Sequence, residues 1–290
     1  MKNILIPTDF SIAAWNATKY ALQLFEATEC TFYFLNTYTP ELHSNRLMAG
    51  TGLNDIQNST AQLVSEKGLK KIIQQVKKEG KNPLHHYKSI SSFSLLIEEV
   101  KETVEEYNID FIIISASGSS ENASLFMGRN TVRVINAISN CPVIVIPKDV
   151  KVEQPKNIAF IADFSQFYST EELNTVMAMA QTLKCAVHVV VMHQEEGRMS
   201  ELQRINQDMI DKSLVAVSHT FHNLKPVDSF SSSLKQFIEQ ANCQLVLMSN
   251  VTNSFINNLC KDFVVKRTVF CLEIPLLIIQ EVESNSMVNH

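Results

Sequence analysis

Apolar positions in this chain come in short blocks separated by stretches with a helical period. Mostly apolar runs recur at residues 3–7, 31–36, 110–115 and 142–146. Between them, apolar residues stand three and four apart. Ala14, Thr18, Ala21, Leu22 and Phe25 share one helical face, and Leu96, Ile97, Val100, Val104 and Tyr107 share another. Ser11 stands where it can cap the first helix. The spacing predicts a long helix over 55–79, ended by Gly80, a strand over 84–90 and a helix over 130–139. Continuous apolar strands alternating with helices imply a parallel sheet covered on both faces. Such sheets take ligands at the carboxyl ends of their strands, where the strand order reverses.

The pattern repeats. Lys2-Asn3-Ile4 returns as Lys156-Asn157-Ile158, and Asp9-Phe10-Ser11 as Asp163-Phe164-Ser165, both at an offset of 154. Cys30 and Cys185 nearly fit the same offset, each just before an apolar run. Residues 109–115 resemble 243–249, and 141–146 resemble 273–279. Two copies of one unit follow, 1–147 and 156–290, joined by the polar stretch 148–155. The expected fold is α/β: two doubly wound parallel five-stranded sheets in tandem, each in the order 3-2-1-4-5. The second copy is shorter by about 20 residues, a shortfall expected near the counterpart of the long loop over 39–55.

Composition narrows the function. With 45% hydrophobic and 19% charged residues the chain is globular, with ample core. A net charge of −5 argues against nucleic acid. Six scattered cysteines show neither a C-x-x-C nor a metal spacing, which fits a reduced interior. The amino terminus is interrupted by Pro7 and Asp9, so no signal peptide is expected, and no apolar run reaches a membrane span. The expectation is a cytoplasmic protein.

Two of the seven glycines, Gly118 and Gly128, lie in the loop that follows the fourth strand. In a 3-2-1-4-5 order that loop faces Asp9 across the switch point. The helix that starts near Asn130 aims its N–H groups into the crevice, and such an end attracts anions. Gly118 and Gly128 would let the backbone approach a phosphate, or they simply shape the loop and cap the helix. Asp9 would accept from ribose hydroxyls or a base, or form a turn beside Ser11. No G-x-x-x-x-G-K-[ST] occurs in the chain.

These residues resemble those of the universal stress protein family. The resemblance rests on Ile6-Pro7-Thr8-Asp9-Phe10-Ser11, on the glycine loop and on Cys141-Pro142-Val143-Ile144-Val145-Ile146-Pro147. It is strong over 1–147 and weak over 156–280. It implies an adenine nucleotide alpha hydrolase-like fold and ATP or another adenine nucleotide, with magnesium, in the first domain only. Nucleotide-binding members show G-x2-G-x9-G-[ST]; here the positions read Ser115, Gly118, Gly128 and Arg129. Arg129 loses a hydroxyl but offers forked charged donors to phosphate. Asn130 and Thr131 could add side-chain donors, and Thr8, Asp9 and Asn36 would lie near adenine and ribose. The equivalent second loop, 249–262, has no glycine and carries Asp262, so the second domain is expected empty.

Other chemistry is sparse. His219 and His222, read near a helix end, could share a metal, though no third ligand is evident and a solvated pair is the simpler reading. His85 and His86 would point to opposite faces of a strand. Ser117, Ser119, Ser120 and Ser124 could accept phosphate, and Cys260 is the cysteine to test for reactivity. Lys70, Lys71, Lys77, Lys78 and Lys81 read as a solvated basic stripe. No nucleophile–base–acid grouping stands out, so the output is expected to be a conformational or partner-binding change rather than a product, with weak ATP hydrolysis left open. The tandem pair is expected to pack through its fifth strands as family dimers do, with a homodimer as a further form. The alternative is a ligand-free stress or scaffold protein that acts through its surfaces.

Overall fold

A computed structural model describes residues 1–39, 53–117, 127–165, 167–192, 199–224, 230–249 and 273–280. The first half runs β1 (Lys2–Pro7), α1 (Ile12–Leu24), β2 (Cys30–Thr37), α2 (Leu53–Glu79), β3 (His85–Ser92), α3 (Leu96–Glu106), β4 (Phe111–Ser115), α4 (Arg129–Ala137) and β5 (Val143–Ile146). The second runs β6 (Asn157–Ala162), α5 (Thr170–Leu183), β7 (Ala186–Met192), α6 (Glu201–Ser213), β8 (His219–Leu224), α7 (Phe230–Gln240), β9 (Leu245–Ser249) and β10 (Leu276–Ile279).

The strands form one sheet, ordered β3-β2-β1-β4-β5-β10-β9-β6-β7-β8. Within each half all pairs are parallel, and each half follows the expected 3-2-1-4-5 order. Two separate five-stranded sheets do not form. Instead β5 and β10 pair antiparallel, Ile144 opposite Leu277, and fuse the halves into a mixed ten-stranded sheet. The cause is the edge itself: each fifth strand would otherwise leave a row of unpaired N–H and C=O groups beside apolar side chains.

Both faces are buried. Ile4, Ile6, Phe32, Phe34 and Ile113 lie under α1 and α2, while Leu5, Leu35, Ile112 and Ile114 lie under α3 and α4. Burying each such side chain contributes about 1.5–3 kcal/mol, which is why the strands read as unbroken apolar runs.

The repeated Lys-Asn-Ile has a physical role. Asn3 Nδ2 donates to the carbonyls of Tyr107 and Asn108 past the end of α3, and Asn157 Nδ2 donates to those of Ala241 and Asn242 past α7. Asn108 and Asn242 both sit at φ 47°, the left-handed turn that asparagine tolerates. The second half's shortfall falls largely in a helix: α2 has 27 residues and α6 has 13. The lysines at 70, 71, 77 and 78 are exposed on α2, and Lys81 follows it, also exposed. Cys30, Cys141, Cys185 and Cys243 are free and buried, and burial pushes each thiol up to about 12. Such thiols are inert structural residues. Cys260 lies outside the described residues.

Candidate functional site

Strand order reverses between β1, which continues to β2 on one side, and β4 on the other. Ile4 stands opposite Phe111 and Leu5 opposite Ile112, so the same register brings Thr8 level with Ser115 at the carboxyl edge.

On the β1 side, a chain of local hydrogen bonds shapes the loop. Thr8 N–H donates to the Leu35 carbonyl at 2.8 Å, and Asn36 Nδ2 donates to the Thr8 carbonyl at 2.7 Å. Phe10 N–H donates to Thr8 Oγ1, and Ser11 N–H to Asp9 Oδ1 at 3.0 Å. Ser11 Oγ then accepts from Ala14 N–H and caps α1. The side chain of Asn36 therefore holds the two strand ends together, and Asp9 builds an Asx turn. Phe10 adopts φ 63°, an uncommon conformation for a bulky residue. Its ring lies over Gly68 of α2, where a Cβ would come within 2.4 Å of the ring. Gly68 is the glycine that the approach requires.

On the β4 side, Ser115 has ordinary backbone angles, so the serine where the family's motif has glycine brings no strain. Its hydroxyl donates to the Ser117 carbonyl at 2.9 Å, and its own carbonyl accepts from the buried Thr131 hydroxyl at 2.9 Å. Gly128 N–H donates to the Ala116 carbonyl at 2.6 Å, which ties the two ends of the loop together. Gly128 caps α4 at φ −65°, a value any residue adopts, and no side chain among the described residues caps the helix. Its first turn carries no acid. Arg129 and Asn130, the first two residues of the helix, are exposed, and no carboxylate among the described residues pairs with Arg129. The hydroxyls of Ser115 and Thr131 are thus committed to holding the loop. The helix N–H groups, Arg129 and Asn130 form an electropositive end. Gly118, Ser119, Ser120 and Ser124 lie outside the described residues.

The same edge of the second half is built differently. Ser165 N–H donates to Asp163 Oδ1 at 2.8 Å in a matching turn. Asp163 N–H, however, donates to the Tyr168 hydroxyl, and Phe164 is buried beneath α6, where Asn206 Nδ2 donates to its carbonyl. Glu172 is 2% exposed. Its carboxylate accepts from Ser169 N–H at the start of α5 and from the Ser249 hydroxyl at the end of β9. The loop from Asn250 through Cys260 to Asp262 lies outside the described residues.

Sequence reading missed three features. Ser169-x-x-Glu172 is a capping-box pattern and was legible. The seating of Phe10 on Gly68 needs the tertiary fold. So does the pairing of histidines: His219 and His222 lie on a strand, not near a helix end, and they do not meet. His219 Nε2 lies 2.9 Å from Asp211 Oδ1, whereas His222 meets His188 of β7.

A family model described as the universal stress protein family matches residues 1–147. No curated protein matches the chain. Among solved structures, a universal stress protein from Archaeoglobus fulgidus is similar over 97% of both chains, with 14% identity and a TM-score of 0.67. A functionally unknown protein from Pseudomonas aeruginosa covers 97% of this chain and 92% of its own, with 12% identity and a TM-score of 0.56. A putative universal stress protein from the same species covers 97% and 93%, with 12% identity and a TM-score of 0.50. At these identities the likeness speaks for the fold. No helix among the described residues is long and apolar enough to cross a membrane. The family match spans just over half of the chain and takes in β1, β4 and the whole switch-point edge, and on that ground the chain belongs to the universal stress protein family.

Proposed function

We propose that this chain is a cytoplasmic stress-response protein of two tandem domains, 1–147 and 156–290. In this reading its first domain binds one adenine nucleotide, ATP with magnesium, at the edge between β1 and β4. One observation carries the proposal: α4 begins in an acid-free turn, with no side-chain cap among the described residues and Arg129 at its first position. A cation at the positive end of a helix is unfavourable alone and favourable once an anion sits there. Phosphates would lie on the first N–H groups of α4 with Arg129 and Asn130 beside them. The ribose would lie toward Asp9 and the base toward the end of β2 at Asn36. Thr8, Ser115, Gly128 and Thr131 would hold the walls, with Gly118 in the intervening loop. Binding, rather than catalysis, would be the output, read by partners through the shape of the edge.

The test is direct. Protein purified without added ligand is denatured and its supernatant analysed by mass spectrometry, and ATP is titrated by calorimetry with and without magnesium. The expected result is one nucleotide per chain. No nucleotide and no heat at millimolar ATP would overturn the reading. The chain would then be a ligand-free member that works through its surfaces.

A further inference from the structure

We propose that His188, His222 and Thr220 form a binding site for a borderline divalent transition-metal ion, of the Cu²⁺ or Ni²⁺ class, in the second half of the molecule. This site is independent of the nucleotide reading.

The strand register builds it. In the parallel β7–β8 pair His188 stands opposite Thr220 and Val190 opposite His222. Alternation puts His188, Thr220 and His222 on one face, while Val187, Val189 and Phe221 pack on the other. Nδ1 of His188 lies 3.0 Å from Nε2 of His222, and Thr220 Oγ1 lies 3.1 Å from the first and 2.9 Å from the second. Three lone-pair atoms thus form a nearly equilateral triangle. Cis donors of a six-coordinate ion with bonds of about 2.1 Å are about 3.0 Å apart, whereas tetrahedral donors at that bond length are about 3.4 Å apart. The triangle therefore matches one face of an octahedron, with the remaining positions left to water.

The surroundings suit an ion of this class. Phe237 of α7 packs against both rings, with centroids 6.1 Å from His188 and 4.9 Å from His222, and restricts their orientation. Both histidines are half-buried, so an ion can reach them. Neutral imidazole is the form that ligates. Among the described residues no three of His, Cys, Asp and Glu converge on an ion, and the third donor here is a hydroxyl. Two imidazoles without a carboxylate favour copper, nickel or zinc over magnesium or calcium. Without an ion, each short contact needs a bridging proton. With one, both rings keep their proton on the far nitrogen and turn a lone pair to the metal.

The experiment uses the full chain and aqueous Ni²⁺ and Cu²⁺ in a non-coordinating buffer, read by calorimetry. One ion per chain is expected, with Cu²⁺ tighter than Ni²⁺. His188→Gln and His222→Gln should each weaken binding at least tenfold, and His219→Gln should leave it unchanged. A second measurement needs no variant. Saturating Ni²⁺ should protect His188 and His222, but not His219, from acylation by diethyl pyrocarbonate, read by peptide mass spectrometry. No binding at millimolar Ni²⁺, unchanged affinity in both folded variants, or equal modification of all three histidines would each overturn the site.

Discussion

The carboxyl edge of the first half and the carboxyl edge of the second start from the same residues and end as different objects. Asp9 and Asp163 form the same turn with Ser11 and Ser165. Beyond that turn the first half presents α4, with no side-chain cap among the described residues and Arg129 at its head. In the second half the described part of the edge is filled from within. There the amino end of α5 is satisfied from within by Glu172, which also takes the Ser249 hydroxyl, and Tyr168 and Phe164 fill the space beside it. Retaining an aspartate is therefore no sign of a retained site. Its turn suffices to explain it in both halves; the amino end of α5, the counterpart of α1, carries the buried Glu172, and the counterpart of α4 between β9 and β10 lies outside the described residues.

The largest expected effect lies in the second half. Glu172→Ala removes a buried carboxylate that accepts from Ser169 N–H and the Ser249 hydroxyl, and should cost about 3 kcal/mol through the loss of those two hydrogen bonds, one of them the reciprocal half of the capping box. Ser11→Ala, the corresponding loss of a single cap in the first half, should cost about 1 kcal/mol. Urea unfolding at neutral pH checks both: the midpoint should fall with an unchanged slope. Equal costs would mean that Glu172 is not the internal anion of its half.

Next in size is binding. Arg129→Glu should weaken ATP by about thirtyfold, or ~2 kcal/mol, since it replaces a charged donor with a repelling carboxylate. Asp9→Asn and Asp163→Asn keep the turn acceptor and remove the charge. Both should change stability by less than about 0.5 kcal/mol, well under the cost of losing a cap. Only Asp9→Asn should alter calorimetric ATP affinity. An equal response from the two would place the nucleotide somewhere other than the first edge.

How much of this could be read in the sequence follows from which forces are local. Strand and helix order was legible because both faces of the sheet are buried, which writes unbroken apolar runs. The repeat was legible because Asn3 and Asn157 each close the end of a neighbouring helix, a task that needs the amide at that position. Packing through the fifth strands was expected only from the family resemblance, and β5 does pair with β10; the residues alone did not show that the halves fuse into one ten-stranded sheet, since that depends on two edges meeting after folding. Nor was the exact state of the site. Thr8, Ser115 and Thr131 read equally well as ligand donors or as loop anchors, and their hydrogen bonds show anchoring. His188 and His222, 34 residues apart, meet only through the β7–β8 register.

A smaller effect probes the ring of Phe10. Gly68→Ala places a methyl where that ring lies, 2.4 Å from its tip. Phe10 is 37% exposed and can swing outward, while alanine is the better helix former by about 1 kcal/mol. Stability should therefore hold or rise slightly, while ATP affinity falls a few-fold because the turn at Asp9 loses its support. In the second half the equivalent Phe164 is fixed from beneath, with its carbonyl held by Asn206 of α6. A drop in stability with unchanged binding would show that the ring, not the helix, sets the energy at this contact.

The smallest effect separates the two outer strands. β3 and β8 each begin with a histidine, His85 opposite Cys30 and His219 opposite Val187. His85 is buried against the Phe25 carbonyl, and burial pulls its pKa below the ordinary value. For His219 burial also pulls downward, but the hydrogen bonds to the Asp211 carboxylate and the Val217 carbonyl outweigh it, so its pKa is raised. The two should respond to pH in opposite directions. The contribution of His219 is complete below the unfolded value of about 6.5 and is lost as pH rises through its raised pKa. The contribution of His85 is present above about 6.5 and is lost as pH falls through its lowered pKa. Asp211 is exposed, so the His219 term should be only a few tenths of a kcal/mol and should shrink in salt. His188 and His222 titrate in the same sense as His85, so each variant must be compared with the parent at every pH. On acidification from pH 8.5 to 5.5, the stability cost of His219→Gln should grow and that of His85→Gln should shrink. If both costs moved the same way, the contrast between a histidine paired with a carboxylate and one paired with a carbonyl would not survive.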